Sequence, residues 1–197
     1  MQWKIEVARG GDYLARYAAR MRAIGEYYAR QAMAHALNRA GDTAYGRVRT
    51  TLSNHLGVKY RALRITNALR RKTAYEGRLE YKVIAIGSHF DMIHAKGVRT
   101  RKVVREVNGR VRSFQMVYAS AWNVPRAYPG AFIGRGSQGL QIFTRANDDR
   151  FPLHRVWGPS IPVEILREPT VNVFEETIED VLPKRLEHEV SRLFDSL

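Results

Sequence analysis

The sequence predicts an α+β fold, with long N-terminal helices and a C-terminal helix packed on a mainly antiparallel β-sheet with hairpins. Apolar residues recur at three- and four-residue steps over 26–55 and again over 170–197, the period of an amphipathic helix. Between them they alternate with charged residues over 78–86 and on either side of Asn108-Gly109, the preferred pair for a two-residue hairpin turn. Helices flanking a β-rich middle give α+β rather than a parallel α/β sheet. Neither a Ser/Gly linker nor an internal repeat interrupts the 197 residues, so the sequence reads as one domain.

The elements follow in order. Residues 1–7 alternate polar with apolar, as a short strand does, and show no signal-peptide apolar run. Gly10-Gly11-Asp12 offers a turn and an N-cap for a helix through Tyr13, Tyr17 and Met21. The second helix carries Tyr27, Tyr28, Gln31, Ala34, Leu37, Tyr45, Val48 and Leu52 as its apolar stripe, Arg30, Arg39, Arg47 and Arg49 as a solvated face, and Gly41 as a candidate bend. Gly57 ends it, and a short helical turn over 59–63 follows. Residues 78–86 read as a half-buried strand, 88–102 as a polar loop, and 103–116 as the Asn-Gly hairpin. Prolines 152, 159 and 162 impose extended and turn segments. Thr170 can cap the last helix, the acids at 175, 176, 179 and 180 suit its dipole, and Pro183 predicts a kink or restart.

Several motifs invite a chemical reading. Gly134-x-Gly136-x-x-Gly139 has the spacing of a dinucleotide loop, but that loop needs a strand before the glycines and a helix after them. Here Leu140, Ile142 and Thr144 alternate against Gln141 and Arg145, which is a strand, so the glycines are expected to allow positive φ in a hairpin loop. His89, Asp91 and His94 lack the i, i+4 spacing of a zinc helix and read as polar side chains of an exposed loop. Asp148-Asp149 has turn composition, and Glu187-His188-Glu189 points in several directions from a helix. There is no nucleophile elbow, P-loop or cysteine, so the sequence nominates no catalytic residue, cofactor or metal ligand. Nor does any window reach the apolar length of a membrane helix, and the chain reads as a soluble protein made in the cytoplasm.

Charge is the most unusual bulk property. The net charge is +14, and it is uneven: residues 1–125 hold 24 Lys/Arg against 8 Asp/Glu, whereas 126–197 hold 9 against 11. A basic body with a mildly acidic tail fits contact with a polyanion, head-to-tail packing between copies, or both. The candidate DNA-facing residues are Arg70, Arg71 and Lys72, and Lys96, Arg99, Arg101, Lys102 and Arg105. They lack any recognisable base-reading motif, so charge alone implies a sequence-independent nucleic-acid-binding module.

The second half also carries an ordered string of motifs: "FDMIHAKGVRTRKV", "YPGAFI", "IFTR", "FPLHRVWGPSIP" and "VLPKRLEHEV". In that order they resemble the phage minor tail protein Z family, as does "ALNRAGDTAYGRVRTTLSNHLGV" at 36–58. The strongest elements are Pro129, Gly130, Ala131, Phe132 and Ile133, followed by Gly158, Pro159, Ser160, Ile161 and Pro162. The resemblance covers roughly 26–197; residues 1–25, read as a member-specific extension, and the 103–125 hairpin match less well. It implies a structural virion protein at the head-proximal end of a long tail, acting in tail completion and head-tail joining. It implies no enzyme activity, and as partners it implies the tail terminator, tube and head-tail connector. Tail symmetry adds a homo-oligomeric ring, a hexamer by expectation, around a lumen that DNA crosses, where the basic body and acidic tail segment could supply the two surfaces of a heterologous interface.

Overall fold

In a computed structural model describing residues 2–6, 25–65, 68–107, 109–147 and 149–195, every paired strand is antiparallel. The helix expected over 13–21 lies outside these residues. The chain forms two units, one from Met1–Leu52, Asn67–Gly87 and Pro162–Leu197, the other from Ser53–Thr66 and Ser88–Ile161.

The first unit contains β1 (Gln2–Glu6), β2 (Leu69–Lys72) and β3 (Lys82–Ile86) in the order β1-β3-β2. Because β3 is central, its burial does not alternate: Lys82, Val83, Ile84 and Ala85 are all buried, and the Lys82 ammonium meets the Glu80 carboxylate. The strand is shorter than the alternation over 78–86 predicts, since Arg78 instead forms an isolated bridge to Tyr75.

Helix α1 (Glu26–Leu56) starts in this unit and is 31 residues long. Of the expected stripe, Ala34, Leu37, Val48 and Leu52 are buried, whereas Tyr27 and Tyr28 are exposed. Alanines fill much of the rest, with Ala36, Ala40, Ala44, Val48, Leu52 and Leu56 each at 0% exposure. A four-residue step overshoots one turn by about 40°, so this ridge winds around the helix and buries successive faces. Small side chains let neighbours come close, and polar groups lock the approach. Asn38 donates from Nδ2 to the Ala74 carbonyl at 2.9 Å and accepts the Ala74 amide at 2.7 Å; the Tyr45 hydroxyl donates to the Leu69 carbonyl at 2.9 Å.

Gly41 lies inside the continuous helix α1. It admits the Tyr81 ring, which lies where a Cβ would stand 2.5 Å from ring carbons. The Tyr81 hydroxyl then donates to Asp42 Oδ1 at 2.7 Å, and Arg71 donates to the same oxygen at 2.6 Å. Burial, together with the hydrogen bond to Asp42, pushes the Tyr81 phenol well above its ordinary value. Two glycines on one helix therefore respond oppositely to the same change. Gly41→Ala loses stability, because overpacking costs about 1–3 kcal/mol against a helix-propensity gain of about 1 kcal/mol. Gly46→Ala, whose Cβ meets nothing within 4 Å, gains about 0.5–1 kcal/mol from propensity alone. Urea titrations of the two variants measure this directly, and equal signs would contradict the packing.

Two short α-helices and one long one follow among the described residues. They are α2 (Tyr60–Ile65) in the second unit, α3 (Ile161–Glu164), and α4 (Thr170–Asp195) in the first. Helix α4 buries Phe174, Ile178, Leu182, Leu186 and Val190, and the Arg47 guanidinium of α1 donates to its Thr177 hydroxyl at 3.3 Å. It neither restarts nor ends at Pro183, which sits inside the helix between the buried anchors Leu182 and Leu186. Burial on both sides compensates the lost backbone bond. Thr170 does not cap: it is the first helical residue, its hydroxyl is buried without a partner, and the Pro169 carbonyl accepts the Val173 amide instead.

The second unit is built from small sheets rather than one large sheet. Strands β5 (Lys96–Val107), β6 (Arg110–Ser120) and β7 (Arg126–Pro129) form one; β8 (Phe132–Gly136), β9 (Gly139–Arg145) and β10 (Leu153–Arg155) form another in the order β10-β9-β8. A two-stranded pair joins β4 (His89–Asp91) to β11 (Trp157–Ser160). Met92, Ala95, Val117, Ala119, Ala121, Ala131 and Ile142 make the shared core. The predicted polar loop over 88–102 is thus largely strand, because β5 begins at Lys96 and takes its hydrogen bonds from β6.

Candidate interaction surface

The β5–β6 hairpin is the longest strand pair among the described residues. Its register brings Val107 opposite Arg110, leaving the two-residue turn the sequence predicts, with Gly109 at φ +72°. Strand β7 pairs with β6 only over Met116 to Ala119. From Lys102↔Gln115 to the tip, among the described residues, the hairpin is therefore a bare two-stranded arm, spanning about 20 Å at 3.3 Å per residue. Such a ribbon is marginal alone, since it presents unpaired backbone on both edges.

Both faces of the arm mix cations with exposed apolar groups. Cross-strand partners share a face, so Lys102, Val104 and Val111 lie on one side, and Arg101, Val103, Phe114 and Arg110 on the other. Val104 is 63% exposed, Val111 74% and Phe114 38%. The whole hairpin carries seven Lys/Arg against the single acid Glu106.

The structure divides the eight candidate basic residues between the units. Arg70, Arg71 and Lys72 stand exposed on β2 of the first; Lys96, Arg99, Arg101 and Lys102 stand exposed on β5 of the second, and Arg105 lies on the same strand. Some already have partners. Arg71 is held by Asp42 and lies over the Tyr45 ring at 5.8 Å, Arg99 lies over Tyr118 at 5.3 Å, and Lys96 Nζ reaches Asn54 Oδ1 at 3.5 Å. Arg101 and Lys102 extend from the arm.

The ordered motif residues mainly carry architecture. Pro129 closes β7, Gly130 turns at φ +70°, Ala131 is buried in the core at 0% exposure, and Phe132 and Ile133 open β8. Gly158 passes the Phe90 carbonyl so closely that a Cβ would stand 3.2 Å from it; Pro159 is buried and Ser160 half-buried; Ile161 and Pro162 begin α3, both buried.

The three glycines resolve differently from the expectation. A strand follows Gly139, and only Gly139 has positive φ, at +99°. Gly134 and Gly136 lie inside β8 and supply space instead. A Cβ on Gly136 would stand 2.3 Å from Gln141 Oε1, and one on Gly134 would crowd the Phe143 and Phe132 rings at 3.3 and 3.4 Å. The side chains of β9 fold diagonally over the bare positions of β8.

Sequence reading missed one cluster altogether. Arg155 Nε donates to Asp91 Oδ1 at 2.6 Å and Nη2 donates to Oδ2, a bidentate pair, while Nη2 also reaches Gln138 Oε1 at 3.0 Å. The guanidinium lies 4.1 Å from the centre of the Trp157 ring. Asp91 is thereby occupied, and His94 turns to the Phe90 ring at 5.3 Å, with burial pushing its imidazole pKa below the ordinary value. No group of three or more His, Asp or Glu that could hold a metal occurs among the described residues. Neither is any described helix long and apolar enough to cross a membrane.

No curated protein and no solved structure matches the chain. The family model described as prophage minor tail protein Z (GPZ) matches residues 18–195, a stretch that includes the arm and both ordered motifs. Nearly the whole chain is thus accounted for by one family of structural tail proteins, and this chain is a member of the prophage minor tail protein Z family.

Proposed function

We propose that the protein completes the phage tail at its head-proximal end and takes part in joining the tail to a filled head. It acts as a structural protein without catalysis, in a homo-oligomeric ring around the DNA channel. Membership in a minor tail family puts it among other tail proteins, for which a structural role follows. The observation that carries the finer reading is the projecting basic arm, because a closed ring needs each subunit to reach its neighbour and a DNA-lined lumen needs cations. Terminator, tube and connector are the neighbours this position implies.

An in-frame deletion in the phage genome tests it. Particles lacking the protein should still contain tails and filled heads, while the infectious titre collapses and heads and tails fail to join normally; complementation from a plasmid restores both. Normal titres from the deletion would end this reading. The alternative, a nucleic-acid-binding module, rests on charge alone. It would be favoured if the isolated chain retained duplex DNA tightly, with a steep salt dependence and a preferred site.

A further inference from the structure

We propose that the β5–β6 arm of one copy docks on the acidic first turns of helix α4 of a second copy. This deepens the ring reading above and rests on it for its setting. One face of the arm joins Arg101 and Arg110 to Val103 and the exposed Phe114, and the single acid, Glu106, pairs with Val111 and so lies on the other face. Helix α4 offers the complement. Between Thr170 and Leu182 it holds four acids and no Lys or Arg. Glu175, Glu176, Glu179 and Asp180 are all exposed, and their spacing of one, four and five residues puts them on one face.

The apolar part of the arm decides between partners. Duplex DNA laid on this face would satisfy the arginines yet leave Phe114 against phosphate and water. A protein surface can cover it, and the segment leading into α4 exposes Val163 and Leu166, at 37% and 39%. Burying the arm against a neighbour also covers an unpaired ribbon edge. Because arm and seat are different surfaces of the same chain, each copy can give one and receive the other, so the contact is heterologous and propagates around a ring.

The test uses the full-length chain and two charge-reversed variants. One carries Arg101→Glu and Arg110→Glu on the arm; the other carries Glu175→Lys, Glu176→Lys and Glu179→Lys on the helix. All five positions are exposed, so both variants should keep the wild-type circular dichroism spectrum. In sedimentation velocity, wild type should self-associate with rising concentration, and each variant alone at least tenfold more weakly. An equimolar mixture of the two should recover association, since every arm then meets a helix of opposite charge. Rescue by mixing cannot arise from misfolding.

The chain contains no cysteine, so a second readout is clean. Val103→Cys and Glu176→Cys chains, mixed and mildly oxidised, should yield a disulfide-linked pair that the arm-reversed background abolishes. A mixture no better than its components, or an absent 103–176 cross-link, overturns the proposal. Loss of duplex DNA retention in the arm variant with unchanged self-association overturns it in favour of a DNA contact. Failure of the tail reading is separable: the deletion phage would then be fully infectious even though the two variants rescued each other.

Discussion

Gly57→Ala should lower the unfolding free energy of the second unit by about 3 kcal/mol, the sum of a backbone cost of about 1 kcal/mol for an L-residue in the left-handed region and an overpacking cost of about 2 kcal/mol. Gly57 ends α1 at φ +63°, as the sequence predicts for a helix-stopping glycine. What the sequence does not predict is its surroundings. A Cβ there would stand 2.4 Å from the Ser120 carbonyl oxygen and 2.8 Å from the Asn123 amide, both backbone atoms that no rotamer change can move aside. The same junction takes its hydrogen bonds locally: the Lys96 amide donates to the Gly57 carbonyl at 2.6 Å, and Asn123 Nδ2 donates to the Asn54 carbonyl at 2.7 Å. Shifting the backbone to admit a methyl group would therefore disturb these bonds as well. Gly130→Ala provides the control, because Gly130 has a similar φ of +70° and nothing within 4 Å of its Cβ position. It should cost only the backbone component, about 1 kcal/mol. Guanidinium titrations followed by tryptophan fluorescence measure both, since Trp122 and Trp157 report on this unit. Equal losses in the two variants would show that the crowding at Gly57 relaxes freely.

The contrast between these glycines marks how far the sequence was legible. Local rules carried the helix ends, the Asn108-Gly109 turn and the strand after Gly139, because each depends on residues within a few positions. They failed at 88–102, read as a polar loop, because β5 buries almost nothing: Arg99, Thr100, Arg101 and Lys102 are all exposed, and the strand exists through its pairing with β6. On α1 they found Ala34, Leu37, Val48 and Leu52 but not the exposure of Tyr27 and Tyr28 or the alanine packing, since close approach between elements is decided by the partner and not by the helix. The ordered motifs identified the family, yet the structure gives Ala131 and Gly158 packing duties. The surface to which we assign function lies on the arm, where the motif match was weakest.

Asp91→Ala should cost about 2–3 kcal/mol, the range for removing a charge-assisted bidentate pair that is mostly shielded from water. Asp91 and Arg155 are 64 residues apart in sequence, and no periodicity links them, which is why this cluster stayed hidden. Their side chains are only 16% and 17% exposed. Removing the carboxylate leaves a guanidinium with Gln138 and the Trp157 ring as its remaining partners, neither of which neutralises it. Arg155→Ala should cost a similar amount by stranding Asp91 and baring one face of Trp157. The double variant should cost less than the sum of the two, with a coupling of about 1–3 kcal/mol, because each single change already forfeits the pair. Arg155→Lys should not restore the loss, since an ammonium cannot match both carboxylate oxygens or stack on the indole. The Asp180–Lys184 pair on α4 is the opposite case: its side chains are 54% and 72% exposed, and Asp180→Ala should leave the melting transition in place. Chemical denaturation of all five variants decides the matter. If Asp91 and Arg155 contribute additively, the pair is a surface contact in energetic terms. If they are coupled, the joint between β4, β10 and β11 is a rigid support for the sheets from which the arm projects, and stiffness there is what a subunit needs to hold a neighbour at a fixed angle.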